Sequence, residues 1–213
     1  MTRYDRAAER EIRRVIRRSF PSHRIVGEEG GRTGADARVR WFVDPIDGTK
    51  SFVRGVPLYS VLVGVEVERR PSVGVIHLPA LGETVSAATG HGCTWNGRPA
   101  RVSETDRLSR ATLLTTSVRG LEQRGIPFRR LARVTETQRG WGDGYGYALV
   151  ATGRADAMVD SKVHVWDVAP LLPILSEAGG RFTDWRGRPT IHGRDAVGTN
   201  GRLHDPLLRL LRR

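Results

Sequence analysis

At 213 residues, with 38% hydrophobic content and 25 glycines, the chain can bury a sizeable core as one large domain or two small ones. No apolar run is long enough to span a bilayer and no signal-peptide pattern occurs; the single cysteine, Cys93, excludes an internal disulfide, so a reducing cytoplasm is the expected compartment. The net charge of +12 invites a nucleic-acid reading, but only Lys50 and Lys162 of the 35 basic residues are lysines. The arginines are scattered apart from those in 10–18 and 209–213, so the excess is read as coding bias and solvated helix faces, not as an RNA-binding surface.

Residues 6–20 place Ala7, Ala8, Ile12, Val15 and Ile16 at the spacing of an amphipathic helix, which Pro21 ends. Asp5 stands at or near its start, where an aspartate caps free N–H groups. Residues 24–27 read as a short strand leading into Glu28 and Glu29, and 30–36 as a mobile polar loop. Trp41, Phe42 and Val43 end a buried strand that delivers two carboxylates, Asp44 and Asp47. Pro45 stiffens the turn, Gly48 permits close backbone approach, Thr49 offers a hydroxyl, and a helix can begin at Lys50. Such an order sets a hard-cation site beside an anion site: carboxylates for Mg²⁺, free N–H groups for a phosphate. Taken alone, Asp-Pro-x-Asp-Gly is also a common surface turn.

Runs at 58–68, 71–78, 83–88 and 90–98, the last containing the hairpin signal Asn96-Gly97, read as an antiparallel meander. Residues 103–109 form a boundary. Beyond it come a strand at 111–117, a basic helix at 126–133, a glycine- and aromatic-rich stretch at 139–147, a helix at 148–152 and a strand at 154–159. Asp167 opens an apolar helix, 168–178, with Pro170 in its first turn, a kink at Pro173 and Gly179-Gly180 closing it. A strand at 181–185 and an amphipathic helix at 205–211 follow. The layout predicts an α+β fold: an antiparallel sheet unit over 1–104 and a smaller α/β unit over 105–213. The histidines show no metal-ligand spacing, and Cys93 is read as structural.

Three acidic motifs stand in order: Gly27-Glu28-Glu29-Gly30-Gly31, Asp44-Pro45-Ile46-Asp47-Gly48-Thr49 and Val165-Trp166-Asp167-Val168-Ala169-Pro170. Together they resemble the motif set of the inositol monophosphatase family, and Thr2-Arg3-Tyr4-Asp5 resembles its T-x-x-D. The resemblance runs from about Thr2 to the C-terminus. It implies the layered α/β sandwich of the inositol monophosphatase and fructose-1,6-bisphosphatase type. It also implies Mg²⁺-dependent hydrolysis of a small phosphate monoester without a covalent phosphoenzyme, lithium sensitivity and a homodimer. By the same resemblance, Glu28, Asp44 and the carbonyl of Ile46 hold one ion, and Asp44, Asp47 and Asp167 a second. A third, weaker ion near Glu28 has Asp5 close by. Thr49, with Glu28 or Asp5, orients the attacking water, and the N–H groups of Gly48 and Thr49 bind the phosphate.

Within the family, Asp47-Gly48-Thr49-Lys50-Ser51-Phe52, Arg139-Gly140-Trp141-Gly142-Asp143 and Phe182-Thr183-Asp184-Trp185 are similar to the histidinol-phosphatase branch. Histidinol phosphate carries an ammonium and an imidazole, which suit carboxylates and aromatic faces. Asp143 and Asp160 supply the carboxylates and Trp141 and Tyr145 the rings; the two rings read equally well as core packing. The alternatives are an inositol-1-monophosphatase, a broad-range sugar or polyol phosphatase, and an inactive member that binds RNA or protein. The family pattern places helix ahead of T-x-x-D. Here that motif begins at Thr2, so an apolar face is expected to be uncovered.

Overall fold

In the computed structural model, which describes residues 2–35 and 38–212, helix α1 (Arg3–Ser19) comes first. Its cap is Thr2; Asp5, inside the first turn, completes a capping box by accepting from the Thr2 N–H at 2.5 Å. Ile12 and Ile16 pack against Ile25, Trp41 and Val43 of the neighbouring sheet. The arginines of 10–18 are solvent-facing with one exception: Arg13 is buried.

The first sheet is built from β1 (Arg24–Gly27), β2 (Gly31–Thr33), β3 (Val39–Asp47), β4 (Ser60–Val67), β5 (Arg70–Leu78), β6 (Glu83–Ala88), β7 (Cys93–Trp95) and β8 (Arg98–Pro99), with helix α2 (Thr49–Phe52) between β3 and β4. The order is β2-β1-β3-β4-β5-β6-β7-β8. The meander from β3 to β8 is antiparallel, and Asn96 and Gly97, at φ 48° and 76°, make the hairpin turn between β7 and β8. Three expectations need correction. Part of the predicted mobile loop 30–36 is strand β2, hairpinned onto β1 through Gly31 at φ 60°; Asp36 lies outside the described residues. Strand β3 does not end at Val43 but runs through both aspartates. The sheet is not wholly antiparallel, because β1 pairs parallel with β3. Gly27 is registered with Val43, so Glu28, the residue after β1, comes beside Asp44 within β3.

The second sheet takes β9 (Thr112–Leu114), β10 (Thr137–Arg139), β11 (Ala157–Asp160), β12 (Arg181–Thr183) and β13 (Ala196–Thr199) in the order β10-β9-β11-β13-β12. Strands β9, β10 and β11 are parallel, and β13 is antiparallel to its neighbours. The helices are α3 (Val118–Gln123), α4 (Phe128–Ala132), α5 (Asp143–Ala151), α6 (Val165–Val168), α7 (Leu171–Glu177) and α8 (His204–Leu211). Strands β10 and β13 and helix α3 are too short or too uniform in polarity to show a period, and the sequence reading lacks them.

Two helix readings also change. Helix α5 begins at Asp143 and not at Ala148, taking in part of the glycine- and aromatic-rich stretch. Its glycines are packing residues. A Cβ on Gly144 would lie 2.4 Å from Ser60 Oγ, and one on Gly146 would lie 2.5 Å from the Trp141 carbonyl. The single helix expected over 168–178 is two, α6 and α7, broken at Ala169-Pro170 and not kinked at Pro173. Pro173 falls in the first turn of α7, where an N–H has no intrahelical partner to lose.

The layers follow from three buried clusters. Helix α1 covers one face of the first sheet. Helices α5, α6 and α7 fill the space between the sheets with a core that joins Phe42, Leu62 and Ile76 to Leu114 and Met158. Leu121, Leu131 and Leu207 of α3, α4 and α8 cover the outer face of the second sheet. This is the expected α+β sandwich. Gly64 and Gly74 let the α6–α7 junction sit against the first sheet: a Cβ on Gly74 would stand 2.1 Å from the Pro170 carbonyl oxygen.

Candidate active site

The site is assembled where β1, β3, α5 and α6 end or begin. Glu28 follows β1 and is held by its N–H to the Val43 carbonyl at 3.2 Å. Asp44 is buried in β3, and its Oδ1 accepts from the Ile46 N–H across the stiff Pro45 at 3.0 Å. A register shift between Asp44 and Asp47 re-aims the second carboxylate. Asp47 Oδ2 accepts from Ser60 Oγ at 2.8 Å and from the Gly144 N–H at 2.5 Å, so it ties β3 to the start of α5. Asp167, in the first turn of α6, accepts from the His164 N–H at 2.8 Å. Gly48 turns the chain at φ 82° into α2, and Thr49 Oγ1 donates to the Ile46 carbonyl at 3.0 Å.

One cavity is lined by Asp47, Asp143, Asp160, Asp167, Tyr147 and Lys162, among others. Asp160 is buried; it accepts from the Thr116 N–H at 3.1 Å and the Tyr147 hydroxyl at 3.0 Å. Asp143 adopts φ 54°, an uncommon conformation for a non-glycine, and its N–H donates to Thr116 Oγ1 at 2.9 Å. Its carboxylate borders Gly48: a Cβ there would lie 3.2 Å from Asp143 Oδ2.

So many carboxylates in one buried place cannot all stay ionised unaided. Burial, then Asp47, Glu28 and Asp167, push Asp44 up to about 10. Burial raises Asp167 to about 7 against the His164 hydrogen bond, with Glu28, Asp160 and Asp143 adding to the rise. Asp47 is pushed well above its ordinary range by burial, Asp143 and Asp167. Asp143 is raised by burial and drawn back by Lys50. Asp160 rises to about 6 through burial, opposed by Thr116 and Tyr147.

The consequence for stability has a definite sign. Asp167 and Asp44 hold their protons to about 7 and about 10 in the folded chain, against 3.8 ordinarily. The folded state then binds more protons than the unfolded one, and stability falls as pH rises from about 4 through those values. In chelator, the melting temperature is expected to drop between pH 5 and pH 9 by roughly 5 °C or more. Asp44→Asn should flatten that slope, and a pH-independent melting temperature would refute this account.

Among the described residues, no group of three or more His, Cys, Asp or Glu side chains is placed to hold a metal ion as it stands. The donor set still fits a hard divalent cation. Asp44, Asp47 and Asp167 each give one oxygen to protein donors, leaving the other without one among the described contacts. Among the described residues, buried Asp5 Oδ1 has no hydrogen-bond partner. Oxygen-only ligands of this kind suit Mg²⁺.

Several residues named from sequence stand apart from the cavity. Trp141 is 40% exposed, lies under the Arg139 guanidinium and does not line it. Tyr145 packs against the core; the ring on the cavity wall is Tyr147. Asp5, Glu28, Asp44, Gly48 and Thr49 also lie outside its lining. Of the chain's two lysines, Lys162 lines the cavity and Lys50 acts on Asp143. Their rarity in an arginine-dominated chain was a readable signal that sequence reasoning passed over. Tyr4 packs edge-on against Phe52, and Tyr4 and Val53 are exposed.

The family model of the inositol monophosphatase family matches residues 1–213. The chain is 42% identical to the histidinol-phosphatase of Chlorobaculum parvum over 206 residues, covering 95% of this chain and 80% of that protein. It is also 42% identical to the histidinol-phosphatase of Mycobacterium tuberculosis, covering 98% and 83%. The fold superposes with a TM-score of 0.91 on an inositol monophosphatase from Anabaena, at 36% identity, covering 97% of this chain and 85% of that one. The chain belongs to the inositol monophosphatase family. It is a phosphatase, a hydrolase of phosphate monoesters. Among the described residues no helix is long and apolar enough to cross a membrane.

Proposed function

We propose that the chain is a Mg²⁺-dependent phosphatase of histidinol phosphate, working as a cytoplasmic homodimer of chains whose units 1–104 and 105–213 meet at the site. The observation that carries the substrate is the pair Asp143 and Asp160, which adds two carboxylates to the wall beside Asp47 and Asp167. Carboxylates there complement an ammonium and an imidazole. Similarity to two proteins named histidinol-phosphatase supports the same reading.

Glu28, Asp44 and the Ile46 carbonyl would hold one Mg²⁺, Asp44, Asp47 and Asp167 a second, and Asp5 would stand near a weaker third. When bound, the ions supply positive charge against the phosphate oxygens and lower the pKa of water beside them. The N–H groups of Gly48 and Thr49 bind the phosphate, and Thr49, with Glu28 or Asp5, orients the water. Its oxygen forms the new bond to phosphorus as the phosphorus–oxygen bond to histidinol breaks, and a proton passes to the leaving alkoxide. Ser60 and Gly144 keep Asp47 aimed throughout.

The test is kcat/KM with histidinol phosphate, inositol 1-phosphate and glycerol 2-phosphate, each with and without Mg²⁺. An ammonium contact is worth about 1.5–3 kcal/mol, so Asp143→Asn should lower kcat/KM for histidinol phosphate roughly ten- to a hundredfold. The loss should nearly vanish with glycerol 2-phosphate. Asp160→Asn should lose less, because both its oxygens already serve Thr116 and Tyr147. Equal losses on both substrates would remove the histidinol assignment and leave the inositol reading, which the likeness to the Anabaena enzyme supports.

A further inference from the structure

We infer that Glu9 is a positioning residue for Glu28: its buried carboxylate fixes the turn that carries Glu28. The inference rests on the proposed role of Glu28 as a metal ligand. Helix α1 turns a charged stripe inward. Asp5, Glu9 and Arg13, one turn apart, are 1%, 2% and 8% exposed. A helix that buries charge against a sheet needs a reason, since a buried ion pair is by itself weak support for a fold.

The contacts supply one. Glu9 Oε2 accepts from the Glu29 N–H at 2.8 Å, and Oε1 from the Gly30 N–H at 2.9 Å. Arg13 Nε donates to Glu9 Oε1 at 2.6 Å, while its two terminal nitrogens donate to Thr33 Oγ1 and the Gly31 carbonyl, each at 2.6 Å. The turn is shaped around this carboxylate. A Cβ on Gly27 would lie 2.3 Å from Glu9 Oε1, and one on Gly30 would lie 2.7 Å from it. Glu28 is therefore clamped on both sides. Its own N–H is held by Val43 of β3, and the next two N–H groups are held by Glu9. Arg13 reaches β2, the far strand of the hairpin, and supports the hairpin as a whole. Glu9 grips the N–H groups of the two residues that follow the ligand.

The division of labour is testable with the full-length chain, using calorimetric Mg²⁺ titration of metal-stripped protein and the melting temperature in chelator. Supporting groups behind a metal ligand typically contribute ten- to a hundredfold in affinity. Glu9→Gln is expected to weaken Mg²⁺ binding about tenfold or more, raising the Mg²⁺ concentration for half-activity while kcat at saturating Mg²⁺ largely recovers. Arg13→Lys keeps a cation but loses the fork to Thr33 and Gly31. It should lower the melting temperature and leave Mg²⁺ affinity within about threefold of the parent. If Glu9→Gln does not fold, Glu9→Asp, which keeps the charge and withdraws it by one methylene, takes its place in the same comparison. Unchanged Mg²⁺ affinity in the Glu9 variant overturns the inference alone, as does an affinity loss in Arg13→Lys as large as that in the Glu9 variant. A parent chain that binds no Mg²⁺ overturns the metal reading of Glu28, and this inference with it.

Discussion

Asp167→Asn is expected to lower kcat/KM for phosphate release by on the order of a thousandfold, with the fold intact by circular dichroism. Asp167 lies far along the chain from Asp44 and Asp47, yet its charge helps raise the pKa of both. The asparagine keeps an oxygen to accept the His164 N–H, so α6 should still form. What disappears is one negative charge in a buried cluster that is proposed to balance divalent cations. Asp44→Asn should be as severe, since Asp44 is the residue proposed to hold both tight ions. The two variants should also melt higher than the parent in chelator at pH 8, because each removes a carboxyl whose ionisation opposes folding there. Near-normal turnover in Asp167→Asn would mean that the site does not span the two sheets.

Gly74→Val is expected to cost about 3 kcal/mol or more, a fall in melting temperature of roughly 6–12 °C for a chain of this size. The reason is a backbone-to-backbone approach. A Cβ at position 74 would meet the Pro170 carbonyl oxygen at 2.1 Å and the Pro170 Cα at 2.9 Å, and neither can rotate away. Gly64 stands in the same relation to Ala169, at 2.5 Å from its Cβ. Relief requires the α6–α7 junction to lift off the first sheet, and Asp167 moves with it. Activity should therefore fall further than the melting temperature alone accounts for. Gly82→Ala is the control. Gly82 has φ 63° and open space around its missing Cβ, so only the backbone penalty of roughly 1 kcal/mol applies and activity should hold. A Gly74→Val protein as stable as Gly82→Ala would show that the sheet and the junction are not in contact in solution.

The sequence by itself determined what depends on neighbours a few residues apart. Alternation of apolar side chains set β4, β5 and β6 within two residues of their observed limits, because one face of each strand must be buried whatever covers it. Asn96-Gly97 fixed a turn because left-handed backbone at both positions excludes most other residues. The acidic motifs were legible because three of them stand in one order and together resemble a known set; alone, Asp44-Pro45-Ile46-Asp47-Gly48 reads equally as a surface turn. Only the tertiary structure decided what depends on the other side of a contact. Helix α5 starts at Asp143 despite two glycines in its first turns, because Ser60, Asp47 and Met158 leave no room for a side chain there. The helix after Asp167 breaks at Ala169-Pro170, where the first sheet approaches through Gly64 and Gly74. Tyr147, not Trp141 or Tyr145, faces the cavity, since the rotation of α5 is set by Asp47 accepting from the Gly144 N–H. Glu9 and Arg13 look like one more solvated i,i+4 pair until the β1–β2 turn brings two N–H groups and a carbonyl to meet them. Helical spacing states which residues share a face, but the partner that buries that face comes from elsewhere in the chain.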